Sequence, residues 1–218
     1  MTMFTFPLQL NDFADGLRVR SQEFDLSENL RSTEDGGGRI LTADAGPRLW
    51  QGTITVAPDT HNGQRAAQAL AQVLRQAGAS FLISDRKGKF PAADPDGSLL
   101  GAAAVTLSAP VAGADTISLA GLPAGYVLTP GDYLSYAYGP TGEKIALHQV
   151  TVGGTAAGDG TLTVGVVSRV RPGVSDGTAV TLIGAACRAI MVPGSFKPGT
   201  IGLASTAGFS FSFRQTLG

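Results

Sequence analysis

The chain has 218 residues, 43% of them hydrophobic and 15% charged, so it can bury one sizeable core or two smaller ones and general disorder is excluded. Its formal net charge of −1, with lysine and arginine scattered along the chain, excludes the basic patch expected of a nucleic-acid-binding protein. The thirty glycines and twelve prolines separate short apolar runs, as is typical of many strands joined by tight turns.

Export and membrane insertion are not expected. No window holds the ~18–20 consecutive apolar residues that span a bilayer, and residues 1–13 lack the pattern of a secretion signal. The single cysteine, Cys187, cannot form an internal disulfide, which fits folding in a reducing cytoplasm. Stability is therefore expected to come from burial or from association.

Residues 18–42 predict two strands that flank a loop. Partial alternation over 18–26 indicates the first strand, and 39–42 indicates the second. Between them, 27–35 is polar and predicts a loop. Three consecutive glycines at 36–38 then permit a sharp reversal of the chain.

The strongest strand signal of the N-terminal region lies in residues 49–56. Trp50, Gly52, Ile54 and Val56 occupy alternate positions and therefore share one face of a half-buried antiparallel strand. Trp50 is a candidate either for the core or for a contact between subunits. The core is favoured, because buried aromatic residues are commoner than exposed interface anchors.

Residues 62–77 contain the one convincing helical pattern. Thr60 or Asn62 can cap the start of this helix, and Gly78 can take the left-handed conformation after its end. The apolar stripe repeats at i, i+3, i+4 and i+7 and consists of Leu70, Val73, Leu74 and Ala77. This stripe is narrow, which predicts close packing of the helix on a sheet.

A small β-barrel is predicted over residues 100–185. A strand at 79–84 is followed by 85–100, whose charges, prolines and Asp-Gly step predict a passage between two domains. Short runs rich in β-branched and aromatic residues then alternate with turns. The strands that these runs predict are 105–107, 116–119, 127–138, 143–152, 160–166 and 178–183.

Two strands are predicted after the barrel, at 187–192 and 209–213. In the second, Phe209, Phe211 and Phe213 recur with period two, so they form one apolar face. This face needs an apolar partner surface.

The N-terminal strands and helix offer that surface, so residues from Cys187 onward are predicted to fold back onto residues 1–90. The predicted fold class is therefore mainly β. A discontinuous domain with one helix consists of 1–95 plus 187–218, and an inserted small β-barrel domain of 100–185.

Neither a metal site nor a cofactor site is predicted. The strong nitrogen and sulfur ligands are His61, His148 and Cys187, and no two of them are close in sequence. Cys187 lies in an apolar run, which favours a buried core position over a nucleophilic one. Dinucleotide and phosphate-loop motifs are absent from the sequence.

Two kinds of sugar chemistry remain as alternatives. Paired carboxylates of a cell-wall hydrolase could come from Asp132, Glu143, Asp159 or Asp176. Three of the four are aspartates beside glycine, where aspartate commonly bonds the backbone of a turn, so no catalytic residue is predicted.

The second alternative is an aromatic surface on the barrel. Its four tyrosines are Tyr126, Tyr133, Tyr136 and Tyr138. Tyr136 and Tyr138 share one strand face and could stack on a carbohydrate, although filling of the core is favoured.

The barrel region also carries a series of turn-and-strand motifs. They are Pro130–Leu134, Leu147–Val150, Gly158–Val164, Ser168–Arg171 and Gly177–Val180. This series resembles a module in virion proteins of long-tailed bacteriophages. With the N-terminal strands, the helix at 62–77 and the phenylalanine-rich strand, the whole chain resembles a distal tail protein.

The resemblance implies a structural protein of a siphovirus-like virion, without enzymatic activity or cofactor. In that family a hexameric ring joins the tail tube to the tip of the baseplate, and DNA passes through without specific binding. The resemblance implies that residues 1–95 plus 187–218 form a β-sandwich belt domain with one helix around the DNA channel. It also implies that the inserted barrel of 100–185 is similar to an oligonucleotide/oligosaccharide-binding (OB-like) fold. Expected partners are further copies of the chain, the tail tube protein and the tail hub or tip proteins, with no membrane. The expected location is the virion tail tip, after synthesis in the host cytoplasm.

The resemblance assigns no interface residue, so Trp50, Tyr136 and Tyr138 are candidates taken from the residue patterns alone. The alternatives to the distal ring are a tail tube or other tail-tip subunit, and a carbohydrate-binding module that contacts the host surface.

Overall fold

The computed structural model describes residues 4–203 and 205–218. The fold is mainly β, with 37% strand and 7% helix, which confirms the predicted class. The elements follow the chain as β1 Val19–Leu26, β2 Leu30–Glu34, β3 Ile40–Asp44, β4 Trp50–Val56, α1 His61–Val73, β5 Phe81–Ile83, a 3₁₀ turn Arg86–Gly88, β6 Thr106–Ser108, β7 Thr116–Ala120, β8 Val127–Leu128, β9 Tyr133–Tyr138, β10 Lys144–Val152, β11 Gly154–Thr155, β12 Leu162–Val167, β13 Val180–Thr181, β14 Cys187–Met191 and β15 Ser210–Gln215.

The chain forms two compact units, which we call the barrel unit and the helix unit. The barrel unit consists of Met1–Gly16, Ser80–Ala189 and Leu217–Gly218, and the helix unit of Leu17–Ala79 and Ile190–Thr216.

These units differ from the predicted domains in one respect. Residues 4–16, 80–95, 187–189 and 217–218, which the sequence assigned to the belt domain, group with the barrel. The division into two independently folding domains, 1–95 plus 187–218 and 100–185, stays a prediction.

The barrel unit contains a six-stranded antiparallel sheet in the order β13-β9-β10-β12-β7-β6. Its two edges meet, because Thr106 in β6 pairs with Ala179 beside β13. Leu107 N–H donates to the Thr178 carbonyl at 2.9 Å, and Gly177 N–H donates to the Leu107 carbonyl at 3.0 Å. The sheet therefore closes into the predicted barrel.

The barrel encloses an apolar core whose side chains come from alternate positions of its strands. Leu119 and Leu134 are fully buried, and Val164 is 1% exposed. Removal of this apolar surface from water is the main source of the barrel's stability.

The segment 85–100 is tied to the barrel by two buried carboxylates. Asp94 is 0% exposed and accepts hydrogen bonds from Leu99 N–H, Leu100 N–H and the Tyr126 hydroxyl. Asp132 accepts from Ala92 N–H at 2.8 Å. The sequence predicts this segment as a passage between domains, whereas the structure places it within the barrel unit.

In the helix unit, β4 lies between β1 and β15 in an antiparallel arrangement. β15 pairs with β4 from Ser210 opposite Thr55 to Arg214 opposite Gln51, so the C-terminal strand returns to the N-terminal strands as predicted. Beyond β15 lies the end of β14, where Val192 N–H donates to the Ser212 carbonyl at 2.9 Å.

Helix α1 begins at His61, where the Thr60 hydroxyl accepts from Gly63 N–H. It ends at Val73, four residues before the predicted end, because the next turn tightens to i→i+3 bonds. Gly78 has φ +79° and takes the predicted left-handed position.

The predicted stripe of the helix is partly wrong. Leu74 is buried as expected, but Ala77 is exposed and Leu70 and Val73 are only half-buried. The buried positions within the helix are Gln64 and Ala71. Gln64 can occupy the interior because its Nε2 donates to the Ala57 carbonyl at 2.7 Å.

Candidate assembly surface

An exposed hairpin leaves the helix unit between β1 and β4. Its strands β2 and β3 pair in register from Leu30 opposite Asp44 to Glu34 opposite Ile40. Every residue of both strands is exposed. The predicted loop over 27–35 is therefore wrong at β2, since an exposed strand lacks the apolar alternation that marks a half-buried one.

The turn and the base of this hairpin explain why it forms. The Asp35 carboxylate accepts from Gly37 N–H and Arg39 N–H, each at 2.9 Å. This side chain therefore closes the glycine-rich turn. At the base, Ala45 N–H donates to the Asn29 carbonyl at 2.8 Å.

The two faces of the hairpin carry different charges. One face, the acidic face, carries two carboxylates and no cation and consists of Leu30, Ser32, Glu34, Ile40, Thr42 and Asp44. The other, the basic face, carries Arg31 and Leu41.

Large apolar side chains of the hairpin are open to solvent. Leu30 is 55%, Ile40 68% and Leu41 45% exposed. A two-stranded hairpin is marginally stable by itself, and exposed apolar clusters commonly mark interaction surfaces. These features favour a partner that covers the hairpin.

A groove of about 520 Å³ lies elsewhere in the helix unit, between the end of α1 and the loop after β14. We call it the Phe196 groove; its described lining is Leu74–Ala79, Ile190–Gly194 and Phe196. Leu74, Ala79 and Met191 are buried in its floor, and Ile190 is 39% exposed.

Arg75 supplies the charge of the Phe196 groove, since no other described lining residue is ionisable. Its guanidinium carbon lies 5.2 Å from the ring centre of Phe196, a cation–π arrangement. One N–H of the guanidinium donates to Gln72 Oε1 at 2.7 Å. The remaining donors of the guanidinium can face a carboxylate.

The candidate interface residues Trp50, Tyr136 and Tyr138 all lie inside their own units. They are 2%, 2% and 7% exposed, respectively. Trp50 packs against Phe24, with ring centres 5.3 Å apart. In this conformation the three side chains present almost no surface to a partner.

Tyr126, Tyr136 and Tyr138 belong to the apolar core of the barrel, and Tyr133 is buried outside that core. Tyr126 and Tyr133 are 4% and 5% exposed, so all four tyrosine side chains are buried, as the favoured interpretation of the sequence expected. The Tyr133 hydroxyl donates to Asp85 Oδ2 at 3.0 Å. The four rings therefore provide no exposed stacking platform.

His148 is a fully buried histidine of the barrel. Its Nδ1 donates to the Ser168 carbonyl at 2.7 Å, so its Nε2 accepts from the Tyr136 hydroxyl at 2.9 Å. Burial is the main reason why the pKa of His148 is lowered to about 4. The bond to Ser168 acts in the opposite direction and raises the pKa, and the Arg171 cation lowers it to a smaller extent. The imidazole is therefore neutral at pH 7.

The other two potential ligands are also placed by the fold. His61 Nδ1 lies 2.7 Å from Thr206 Oγ1, and Cys187 is fully buried, which raises the pKa of its thiol. Within residues 4–203 and 205–218, no three histidine, cysteine or acidic side chains are grouped to hold a metal ion.

The four carboxylates considered for hydrolysis bond nearby backbone amides. Asp132 accepts from Thr129 N–H at 2.7 Å, and Asp176 from Ala109 N–H at 2.7 Å. Glu143 and Asp159 are exposed and accept from backbone amides two residues away. Asp132, Glu143 and Asp159 therefore stabilise local turns, whereas Asp176 joins two segments that are 67 residues apart in the sequence.

The hairpin does have a signal in the sequence, which the predicted elements do not include. Asp35 followed by three glycines and an apolar pair at 40–41 is a hairpin pattern, and it marks the turn. The Phe196 groove has no local signal, because its two sides are more than 100 residues apart in the sequence.

The comparisons with known proteins give no relative. No protein-family profile matches the sequence, and no curated protein is significantly similar to it. Among the described residues, none of the helical segments has the length and apolarity of a membrane span.

Proposed function

We propose that this chain is a non-catalytic structural subunit of a long-tailed phage virion and forms the distal ring between tail tube and tip. The β2–β3 hairpin is the observation that carries the proposal. It is an ordered element whose apolar side chains are exposed on the single chain, as expected of a subunit that is completed by its neighbours.

The proposed contact between copies joins two different surfaces of the helix unit. The hairpin is a protruding surface, whereas the Phe196 groove is a concave one. A contact between two different surfaces is head-to-tail, and repeated rotation through a closing angle produces a ring. The resemblance to distal tail proteins supplies the ring's proposed place in the virion.

The same proposal names the partners. Further copies surround the hairpin, while the tail tube and hub or tip proteins meet the two ends of the ring. A net charge of −1 is compatible with passage of DNA without binding, because no excess of positive charge would retain a polyanion. A tail tube subunit remains the nearest alternative, since its copies would also associate head-to-tail.

The assembly state tests the proposal. The full chain is purified and examined by mass photometry and negative-stain electron microscopy over a range of concentrations. We expect closed rings of about six subunits with a central hole. Stacked rings or tubes would support the tube alternative instead, and a monomer at every concentration would contradict both.

A matched pair of variants tests the role of the hairpin. Ile40 is 68% exposed on the hairpin, and Val111 is 66% exposed in the barrel unit. Ile40→Ser is expected to weaken assembly at least tenfold, whereas Val111→Ser leaves it unchanged. Equal effects of the two substitutions would remove the hairpin from the interface.

Carbohydrate binding is the alternative from a different class. With all four tyrosine rings buried, it lacks the stacking surface on which the prediction was based. Glycan-array binding by the full chain, retained in Ile40→Ser, would favour that function over ring formation.

A further inference from the structure

We infer that the Phe196 groove of one copy receives the acidic face of the β2–β3 hairpin from a second copy of this chain. The inference rests on the proposed ring and identifies the contact that joins its neighbours. Its basis is the match in shape, charge and position between the two surfaces.

The shapes and apolar side chains of the two surfaces are complementary. The acidic face presents Ile40 and Leu30, which are 68% and 55% exposed. The groove offers Ile190, which is 39% exposed, and the half-buried Val192 and Phe196 above its buried floor. Docking would remove apolar surface from water on both sides.

The charges select the acidic face. Glu34 lies directly opposite Ile40 in the hairpin, so its carboxylate enters the groove beside that side chain. The groove contributes Arg75, held over Phe196. Pairing of Arg75 with Glu34 is attractive, whereas the basic face would bring Arg31 towards a second arginine.

The hairpin and the groove are separate surfaces of the helix unit. The hairpin connects β1 and β4 at one side of the helix-unit sheet, and the groove adjoins the end of β14, beyond β15 on the other side. Each copy can therefore donate its hairpin to one neighbour and accept a hairpin from the next. This is the arrangement that a closed ring requires.

Engineered cysteines test the face and the groove together. Ala77 is exposed and lines the groove, and Cys187 is fully buried with the pKa of its thiol raised, so the native thiol contributes little background. The full chain carrying Ile40→Cys and Ala77→Cys is oxidised mildly and examined by denaturing electrophoresis. We expect a ladder of covalent oligomers.

The control pair moves one cysteine by a single residue. Leu41 is exposed on the opposite face of the same strand. Leu41→Cys with Ala77→Cys is expected to cross-link at least fivefold less than the first pair. Equal or greater cross-linking of the control would overturn the assignment of the acidic face.

Charge reversal provides a second test. Arg75→Glu and Glu34→Arg are each expected to weaken assembly about tenfold, and the double variant is expected to restore most of it. Circular dichroism checks that each variant is folded. If the wild type forms rings while all three variants assemble normally, the groove assignment is wrong and the ring proposal stands. If the wild type never assembles, both fail.

Discussion

The barrel unit and the helix unit differ in whether their outer strands are paired within the unit or exposed. In the barrel unit the edge strands are joined through Thr106 and Ala179, so the backbone groups are paired within the unit. In the helix unit the β2–β3 hairpin extends into solvent with exposed strands. An unprotected edge favours association with another chain, whereas a closed barrel does not. This contrast is the reason why we propose that self-association uses the helix unit.

The interiors of the two units differ as well. The barrel unit contains buried ionisable or charged groups, among them Asp94, Asp132 and His148, that tie its segments together. The helix unit instead packs aromatic rings, with Phe24 within 5.5 Å of both Trp50 and Phe213. We therefore expect the stability of the barrel unit to depend on pH and on its buried charged groups. The stability of the helix unit should depend on the volume of its core side chains.

The largest effect is expected from Gly52→Ala in the helix unit. A Cβ at this position would lie 1.9 Å from the Glu23 carbonyl oxygen and 2.9 Å from the Phe213 ring. Because a backbone atom cannot move aside, we expect the substitution to cost more than about 3 kcal/mol in the free energy of unfolding. The single tryptophan, Trp50, lies in this unit, so its fluorescence during urea denaturation measures the loss.

Gly36→Ala is the matched control for Gly52→Ala. A Cβ at Gly36 meets nothing within 4 Å, and the backbone there needs no left-handed conformation. Its tryptophan unfolding midpoint should stay at the wild-type value. If Gly52→Ala also left that midpoint unchanged, the tight packing of β1, β4 and β15 would be refuted.

The next largest effect is expected from Asp132→Ala in the barrel unit. The carboxylate accepts from Ala92 N–H and Thr129 N–H, and the residue is 4% exposed. Removing this buried carboxylate leaves two partly buried amide groups without their acceptor, so we expect a loss of about 3 kcal/mol. The four tyrosines all lie in the barrel unit, and their fluorescence reports the change.

Asp159→Ala provides the comparison for Asp132→Ala. This aspartate also bonds a turn amide, that of Thr161 at 3.0 Å, but it is exposed. Because water can replace the lost acceptor, the cost should stay below about 1 kcal/mol. Similar losses for the two variants would mean that burial of the Asp132 carboxylate does not set the cost of its removal.

A smaller effect is expected from acid. The pKa of His148 is lowered from 6.5 to about 4 in the folded barrel, chiefly by burial. The unfolded chain therefore binds a proton at a higher pH than the folded chain does. The contribution of neutral His148 to the free energy of unfolding is fully present above pH 6.5 and is lost as the pH decreases towards 4. Between pH 7.5 and 5 we expect a loss of about 2 kcal/mol.

Tyrosine-detected unfolding at several pH values measures this loss. His148→Gln keeps an amide donor and an acceptor but cannot take up a proton, so its stability should change less over the same interval. Parallel pH dependences of the wild type and His148→Gln would show that this histidine does not cause the acid sensitivity.

The predictable part of the fold is the part whose signal is local. Phe209, Phe211 and Phe213 recur with period two and are all buried, and β15 pairs with the N-terminal strands as expected. The barrel strands are predictable because each apolar run is bounded by turn residues. β8 and β9 form a single predicted strand, although the turn between them, closed by Asp132 N–H and the Thr129 carbonyl, has a local signal in Pro130-Gly131.

The remaining features depend on contacts that local patterns do not contain. Gln64 is polar and belongs to no predicted buried face, yet its bond to the Ala57 carbonyl allows it to replace an apolar residue in the interior of the helix unit. For the candidate site, aromatic residues such as Trp50 are the natural choice from sequence, because aromatic anchors are common at interfaces. In this fold the aromatic side chains are buried, and the exposed aliphatic side chains of the hairpin are the ones that a partner could contact.

The smallest effect on stability is expected from removal of the hairpin. Replacing residues 31–43 by a Gly-Ser linker deletes exposed residues that bury almost nothing within the single chain. The tryptophan-detected free energy of unfolding of the monomer should therefore change by less than about 1 kcal/mol, while rings are lost. Deletion of β6 should instead unfold the barrel, because β6 joins its two edges. If shortening the hairpin destabilised the monomer as much as deleting β6, the hairpin would be part of the unit's own core. Its exposed leucine and isoleucine residues would then no longer argue for a neighbouring copy.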